Sequence, residues 1–205
     1  MLKSLTRVPT IQPLEIFSAR LLGEIFRFPL LTELKTGFSQ GRLVYPYFRV
    51  ALKGAILEKV SLQPTPREVM NAWRNGATLI FQFMERIFPS VTQSVRALEA
   101  RSGRHCHATA YLTPAENQAF PAHTDSHDAL IVQVLGSKRW TIWDGIPDCI
   151  EMTSLDPYVK PSHDLILREG DCLYVPAGTI HRVRAEGQAS YHVTIGVHDI
   201  PARAP

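Results

Sequence analysis

Residues 170–181, GDCLYVPAGTIH, hold two short apolar runs, each preceded by a turn sequence. Gly170-Asp171 comes before the first run and Pro176-Ala177-Gly178 before the second, and both contain residue types that favour turns. The stretch therefore predicts a turn, a strand, a tight turn and a second strand. The second strand begins near residue 180, so we expect the tight turn to deliver His181 to the mouth of a β-barrel.

Short β-type segments continue on both sides of this stretch, from His105 to Val197. Runs rich in β-branched and aromatic residues alternate there with Pro, Gly, Asn and Asp, which is typical of a β-sandwich or β-barrel. Gly136-Ser137 fits a two-residue hairpin turn between two of these strands. The predicted strands cover residues 107–112, 119–124, 129–135, 139–143, 172–175, 180–184 and 190–197.

The first hundred residues have a mainly helical pattern. Between residues 13 and 28, apolar residues recur at spacings of three and four, which predicts an amphipathic helix. Residues 65–68, TPRE, combine an N-cap, a first-turn proline and the glutamate of a capping box, so they predict a helix that closes near Asn75. A second box over residues 90–93, SVTQ, predicts a helix that ends at Gly103.

Length and composition favour one domain. A chain of 205 residues with 45% hydrophobic residues can bury one sizeable core. We expect a single domain over residues 1–205, with a mainly helical part over residues 1–104 and a β-barrel core over residues 105–198. The helical part is expected to include one strand, over residues 43–52. The predicted fold class is mainly β with N-terminal helices.

Charge and cysteine usage exclude several classes of protein. The net charge is +3, but the Lys and Arg residues are scattered, so nucleic acid is not the favoured partner. Cys106, Cys149 and Cys172 are odd in number and lack CxxC spacing, which argues against a disulfide framework and a structural zinc site. The N-terminal residues contain neither a signal-peptide core nor a membrane-spanning run. These features predict a cytoplasmic protein with no membrane partner.

His123-Thr124-Asp125 places an imidazole and a carboxylate two residues apart. On a strand both side chains would project from the same face and could share one metal ion. Non-haem Fe(II) oxygenases use two histidines and one carboxylate on one face of the metal, with the other positions open. His181 is the best candidate for the second histidine. The same three ligands also bind manganese or nickel, so the pattern alone does not identify the metal.

Other histidines compete with this assignment. His127 would share the face of His123 if the strand continued, and we expect it to line the pocket. His105 and His107 lie on one face of an earlier strand, where a structural or solvent-facing role is favoured. His192 is interpreted as a core histidine with its hydrogen bonds satisfied, rather than as a metal ligand.

These residues belong to a longer pattern, in which His-x-Asp is followed by Gly136-Ser137-Lys138-Arg139-Trp140. With this pattern the chain resembles the cupin-fold oxygenases of the JmjC type, in the branch that contains the ribosomal protein hydroxylases. The resemblance covers roughly residues 70–197. It is carried by GATL at 76–79 leading into the helix at Phe88-Pro89, AYLTP at 110–114, FPAHTDSHD at 120–128, QVLGSKRW at 133–140 and PAGTIH at 176–181.

The resemblance implies a double-stranded β-helix and a set of cosubstrate contacts. It implies that Lys138 binds the distal carboxylate of 2-oxoglutarate, that Tyr111 adds a hydroxyl to the same carboxylate, and that Thr194 belongs to the same pocket. A buried lysine ammonium is costly without an anion, which agrees with a dicarboxylate ligand. The alternatives are a surface lysine in a hairpin turn and a core tyrosine. Thr109 departs from the family, because relatives often carry asparagine there.

The function implied is that of an Fe(II)- and 2-oxoglutarate-dependent dioxygenase. Such an enzyme uses O2 to convert the cosubstrate to succinate and CO2, and we expect it to hydroxylate a side chain of a protein or peptide. A first alternative is a hydroxylase of a small molecule or a biosynthetic peptide. A second alternative is a non-catalytic cupin that binds a metal. The sequence does not indicate the substrate or the oligomeric state.

Overall fold

The computed structural model describes residues 6–8, 38–39, 42–43, 48–62, 65–144 and 159–201. The helix expected over residues 13–28 lies outside these ranges. The helices are α1 Glu58–Leu62, α2 Pro66–Arg74 and α3 Pro89–Ser102, with a 3₁₀ helix at Met84–Arg86. The strands are β1 Thr6–Val8, β2 Phe38–Ser39, β3 Arg42–Leu43, β4 Phe48–Leu52, β5 Ala55–Ile56, β6 Thr78–Phe81, β7 Arg104–Thr113, β8 Asp128–Leu135, β9 Ser137–Trp143, β10 His163–Arg168, β11 Cys172–Val175, β12 Ile180–Ala185 and β13 Ser190–Pro201.

Two antiparallel sheets form the body of the fold. The larger has eight strands in the order β1-β11-β8-β13-β7-β6-β4-β5, and the smaller has three in the order β10-β9-β12. Side chains from both sheets meet in one apolar cluster, in which Ile131 and Leu173 of the larger sheet pack with Trp140, Ile142 and Leu167 of the smaller. The sheets therefore face each other across a shared core, which confirms the predicted β-barrel of jelly-roll type.

The two faces of β7 show how the larger sheet is used. Cys106, Ala108, Ala110 and Leu112 belong to the main core cluster, which also contains Val91 and Val95 of α3. The alternate residues His107, Thr109, Tyr111 and Thr113 line a cavity on the other side. Because side chains alternate along a strand, one face of the sheet packs on helices while the other can carry polar groups.

The chain changes sheets at Gly136. We predicted a hairpin turn there, and this prediction was wrong, because β8 pairs with β11 and β13 whereas β9 pairs with β10 and β12. Gly136 has φ of 67°, and a Cβ at this position would lie 2.5 Å from the carbonyl oxygen of Ala189. The sharp crossing therefore requires a glycine, both for its backbone conformation and for the close approach.

Some of the other strand predictions were also wrong. Residues 119–124 do not form a strand, and only His123 makes an isolated β-bridge there. The prediction missed β6 and β10, and the strand expected over residues 43–52 is observed at Phe48–Leu52, with Leu43 ending the separate β3. Because β4, β5 and β6 join the larger sheet, that sheet extends well before residue 105.

The predicted helix ends can be compared with the observed caps. Thr65 Oγ1 accepts a hydrogen bond from Glu68 N at 3.3 Å, so the predicted N-cap is confirmed, and the Thr65 hydroxyl donates to Glu68 Oε2 at 2.6 Å. The second predicted capping box is wrong, because Phe88 occupies the N-cap of α3 without a side-chain hydrogen bond. Gly103 ends α3 with φ of 68° as predicted. Among the described residues, no helix is long and apolar enough to cross a membrane.

Candidate active site

His123, Asp125 and His181 come together at one end of the barrel. Their ligand atoms all lie within 4.8 Å of one another. The two histidines are 58 positions apart in the chain, but their backbones pair directly. His123 N donates to His181 O at 3.0 Å, and His181 N donates to His123 O at 2.9 Å. This bridge holds the loop with His-x-Asp against β12 and sets the spacing of the two imidazoles.

The backbone also orients each imidazole. His123 Nδ1 lies 2.9 Å from Pro121 O, and His181 Nδ1 lies 3.0 Å from Thr179 O. A carbonyl oxygen can only accept, so both Nδ1 atoms carry the proton and both Nε2 atoms are free to act as ligands. Burial and the neighbouring His123 lower the pKa of His181, which keeps its imidazole neutral. This arrangement is typical of histidines that bind a metal.

The prediction that His123 and Asp125 share a strand face was wrong in its structural basis. The two residues lie on a loop, and the loop is fastened by the bridge at His123 and by Gly178 N, which donates to Asp125 O at 2.9 Å. Gly178 belongs to the tight turn that precedes β12. The turn predicted from residues 170–181 therefore presents His181 and also secures the segment that carries Asp125.

A cavity of about 300 Å³ extends from these three residues into the space between the sheets. All six candidate site residues line it. The lining residues are Gln82, His107, Thr109, Tyr111, Thr113, Ala119, Phe120, His123, Asp125, His127, Ala129, Lys138, Trp140, His181, Val183, His192 and Thr194.

Lys138 is a buried charged side chain in this cavity, with a relative exposure of 2%. Its Nζ donates to Thr113 Oγ1 at 3.0 Å and to His192 Nδ1 at 2.7 Å. No carboxylate oxygen of the described residues lies within ion-pair distance of Nζ, and burial lowers the pKa of Lys138 well below its usual value. The alternative of a surface lysine in a hairpin turn is excluded.

Comparison with known proteins assigns the family. A family model described as the JmjC domain matches residues 82–204, which is more than half of the chain. The chain belongs to the JmjC family. The predicted family resemblance is thereby confirmed, and the match covers His123, Asp125, Lys138 and His181 together.

Curated JmjC relatives are longer than this chain. Ribosomal oxygenase 2 of Rattus norvegicus is 33% identical over 127 residues, which cover 60% of this chain and 27% of that protein. The bifunctional lysine-specific demethylase and histidyl-hydroxylase NO66 of Drosophila sechellia is 36% identical over 110 residues, which cover 49% of this chain and 17% of that protein. The chain matches less than a third of either relative.

A solved structure supports the same fold. The X-ray structure of E. coli ycfD matches 63% of this chain and 34% of its own chain, with a TM-score of 0.50 and 22% sequence identity. At this identity the similarity concerns the fold only. It agrees with the jelly-roll barrel of the JmjC family described above.

Tyr111 and His192 form the wall beside Lys138. Their rings stack with centroids 4.8 Å apart and an interplanar angle of 8°. His192 is buried, and its Nδ1 accepts from Lys138, as expected for a core histidine with a hydrogen-bond partner. Burial and the Lys138 charge lower the pKa of His192, and burial raises the pKa of Tyr111. This wall is therefore neutral apart from Lys138.

Two threonines complete the strand faces around the cavity. Thr194 of β13 is paired in register with Thr109 of β7, and both line the cavity. The family resemblance implies an asparagine in many relatives at the position of Thr109. The Thr109 hydroxyl offers one donor where an asparagine amide would offer two, so the pocket keeps a polar group there but has one possible donor fewer.

Several cavity residues were not predicted. Thr113, which binds Lys138, lies on the same β7 face as Tyr111, so strand alternation from Tyr111 would have found it. His107 follows from the same alternation, and its cavity-lining position corrects the expectation of a structural or solvent-facing role. His105 does pair with Glu99, at 2.9 Å, and His127 lines the cavity as expected.

Proposed function

We propose that this chain is an Fe(II)- and 2-oxoglutarate-dependent oxygenase that hydroxylates a side chain of a protein or peptide. One observation supports this most directly. A single cavity has two imidazoles and a carboxylate at one end, and it also contains a buried lysine without a carboxylate partner among the described residues. Family membership alone would indicate the fold. The triad and the buried lysine in one cavity support the proposed oxygenase reaction.

The donor set of the triad fits Fe(II). His123 and His181 offer neutral nitrogen ligands, and Asp125 offers an oxygen ligand with negative charge. Two imidazoles and one carboxylate on one side of a metal leave positions for a bidentate acid and for O2. When bound, iron would supply the redox chemistry of cosubstrate decarboxylation and C–H oxidation, while the protein orients the ligands and excludes water.

The surroundings of Lys138 fit the distal carboxylate of 2-oxoglutarate. The ammonium has two neutral partners, Thr113 and His192, and desolvation opposes its charge. A carboxylate placed beside it would restore the charged form and form charge-assisted hydrogen bonds. Tyr111 and Thr194 line the same cavity, so their hydroxyls are candidates for additional contacts with this carboxylate.

The names of two relatives bear on the substrate of this chain. NO66 is named as a lysine-specific demethylase and histidyl-hydroxylase, and ribosomal oxygenase 2 is named for the ribosome. Both names support a protein substrate for this chain. A small molecule or a biosynthetic peptide would be indicated instead if only free metabolites or short peptides stimulated 2-oxoglutarate turnover.

The test is anaerobic binding of Fe(II) and 2-oxoglutarate, followed by succinate release in air. We expect the wild type to bind both, His123→Ala to lose the metal, and Lys138→Ala to keep the metal but bind 2-oxoglutarate at least about 10-fold more weakly. Lys160→Ala is the matched control, because Lys160 is an exposed lysine outside the cavity. Wild-type protein that binds iron without 2-oxoglutarate would overturn the proposal and favour a non-catalytic cupin.

A further inference from the structure

Three histidines form a compact cluster outside the triad. His107 lies on β7, His127 on the loop after Asp125, and His198 on β13. Their ring centroids are 4.9 Å apart for His107 and His198, 4.8 Å for His127 and His198, and 5.2 Å for His107 and His127. The imidazoles thus occupy the corners of a nearly equilateral triangle, which neither the triad nor Lys138 requires.

Gly196 has no side chain, and this leaves the space that the three imidazoles occupy. A Cβ at Gly196 would lie 2.3 Å from His107 Cε1 and 2.7 Å from His127 Cδ2. The same point is 2.8 Å from His107 Nδ1. Glycine is therefore needed at this position because two imidazoles approach the strand. Any larger residue would push at least one ring away.

Two of the cluster's histidines, His107 and His198, bring ring nitrogens together. His107 Nδ1 and His198 Nε2 face each other at 2.8 Å. Burial, together with the other histidines, lowers the pKa of His107 to about 4, and burial also lowers that of His198. At neutral pH one of these two neutral imidazoles therefore donates its N–H to the other. If the donating ring carries its proton on its other nitrogen instead, both facing nitrogens offer a lone pair to a metal ion.

The charges around the cluster are compatible with a cation. Arg104 is the nearby cation, and it is engaged by Asp128 at 2.7 Å and by the carbonyl oxygens of Val197 and His198. On the outer side, His105 stacks on His198 and pairs with Glu99 at 2.9 Å. The charge of Arg104 is thus offset by the carboxylate of Asp128.

We propose that His107, His127 and His198 form a second site for a divalent transition metal, distinct from the triad. Imidazole ligands favour zinc, nickel and copper. With Zn–N bonds of about 2.0–2.1 Å, three imidazoles on one tetrahedral zinc place their ring centroids roughly 5 Å apart, which is the spacing observed. His127 presents a carbon edge to Gly196, so it binds after its ring turns about the Cβ–Cγ bond, a torsion with a broad two-fold preference.

This site goes beyond the proposed oxygenase function and does not depend on it. His107 and His127 line the same cavity as the triad, so a metal held there would lie in the cavity wall. His198 is the ligand outside the cavity lining. It is therefore the position at which the second site can be removed without changing a residue of the cavity.

The experiment is equilibrium dialysis of the chelator-treated full chain against Zn²⁺ at pH 7.5, with bound zinc counted per chain. We expect two equivalents in the wild type, one in His198→Asn, one in His181→Ala and none in the double variant. His163→Asn is the matched control, because His163 is a half-exposed histidine on β10 that pairs with Asp144. It should keep the wild-type number.

The deciding quantity is the difference between the wild type and His198→Asn. Loss of one equivalent supports the second site whatever the triad holds, so a failure of the triad proposal would be seen separately in His181→Ala. An unchanged zinc number in His198→Asn overturns the proposal. His198→Gln replaces His198→Asn if far-UV circular dichroism shows that the asparagine variant does not fold.

Discussion

The metal end and the lysine end of the cavity position their polar groups by different means. At the metal end, His123 and Asp125 lie on a loop that is half-buried and is held by the bridge to His181 and by Gly178. At the lysine end, Lys138 is buried within a regular strand. A metal site can thus be assembled from loops whose backbone is held by a few hydrogen bonds. A buried ammonium instead depends on the register of strands from both sheets.

Replacing Asp125 with Asn should give the largest effect at the metal end. The neutral amide removes one charged ligand while the fold is retained, so we expect affinity for Fe(II) or Co²⁺ to fall by at least about 100-fold. The affinity is measured by titrating the metal into the protein and monitoring binding by calorimetry or absorption. Asp128→Asn is the matched control, because Asp128 pairs with Arg104 and lies outside the triad. Equal loss in both variants would mean that the loop, not the ligand, is responsible.

In the protein without cosubstrate, the contribution of Lys138 to the free energy of unfolding should depend on pH. The pKa of Lys138 is lowered in the folded state, so between that value and the ordinary lysine pKa the unfolded chain binds more protons. The contribution of Lys138 to stability therefore rises with pH, by up to about 1.4 kcal/mol per pH unit. Chemical unfolding of the wild type and Lys138→Met at several pH values measures it as the difference between the two slopes.

Lys138→Met keeps the apolar stem and removes the charge, so its unfolding free energy should equal or exceed that of the wild type at neutral pH. The unfolding free energy of the wild type should approach that of the variant as pH rises. A difference that does not change with pH would contradict a buried, uncompensated ammonium. Added 2-oxoglutarate should stabilise the wild type more than the variant, because binding to the folded state adds to stability.

The smallest of these effects should come from the sheet crossing that leads to Lys138. Gly136→Ala introduces a Cβ that would approach Ala189 O to 2.5 Å at a positive φ, and we expect it to cost about 1–3 kcal/mol. Gly187→Ala is the control, since Gly187 has φ of 70° but an open neighbourhood. Thermal unfolding compares the two. If both variants lose the same stability, the close approach at Gly136 contributes nothing beyond its backbone conformation.

Much of the site could be predicted from short patterns. The stretch at 170–181 contains its own turn and strand signals, and its two strands are observed at Cys172–Val175 and Ile180–Ala185. The His-x-Asp motif and the block around Lys138 were likewise recognisable, and the structure brings His123, Asp125, Lys138 and His181 to one cavity. Such local signals are reliable because turn residues and alternation act over only a few positions.

The errors have one physical cause. The strand expected over residues 119–124 and the hairpin expected at Gly136 were both interpreted from local composition. However, strand formation needs a partner strand, and a tight turn connects neighbouring strands only if they pair. Among the described residues, 119–124 pair with another strand only through the bridge at His123, and β8 and β9 pair in different sheets. Neither fact is contained in a few neighbouring residues.

The sequence by itself determined the family, the mainly β barrel and the residue types of the candidate metal site, because these depend on local motifs and side-chain chemistry. Only the tertiary structure decided that Lys138 is buried beside Thr113 and His192, and that His107, His127 and His198 form one cluster. Both arrangements join residues from separate strands and loops, and pairing register across a sheet sets the contacts between them.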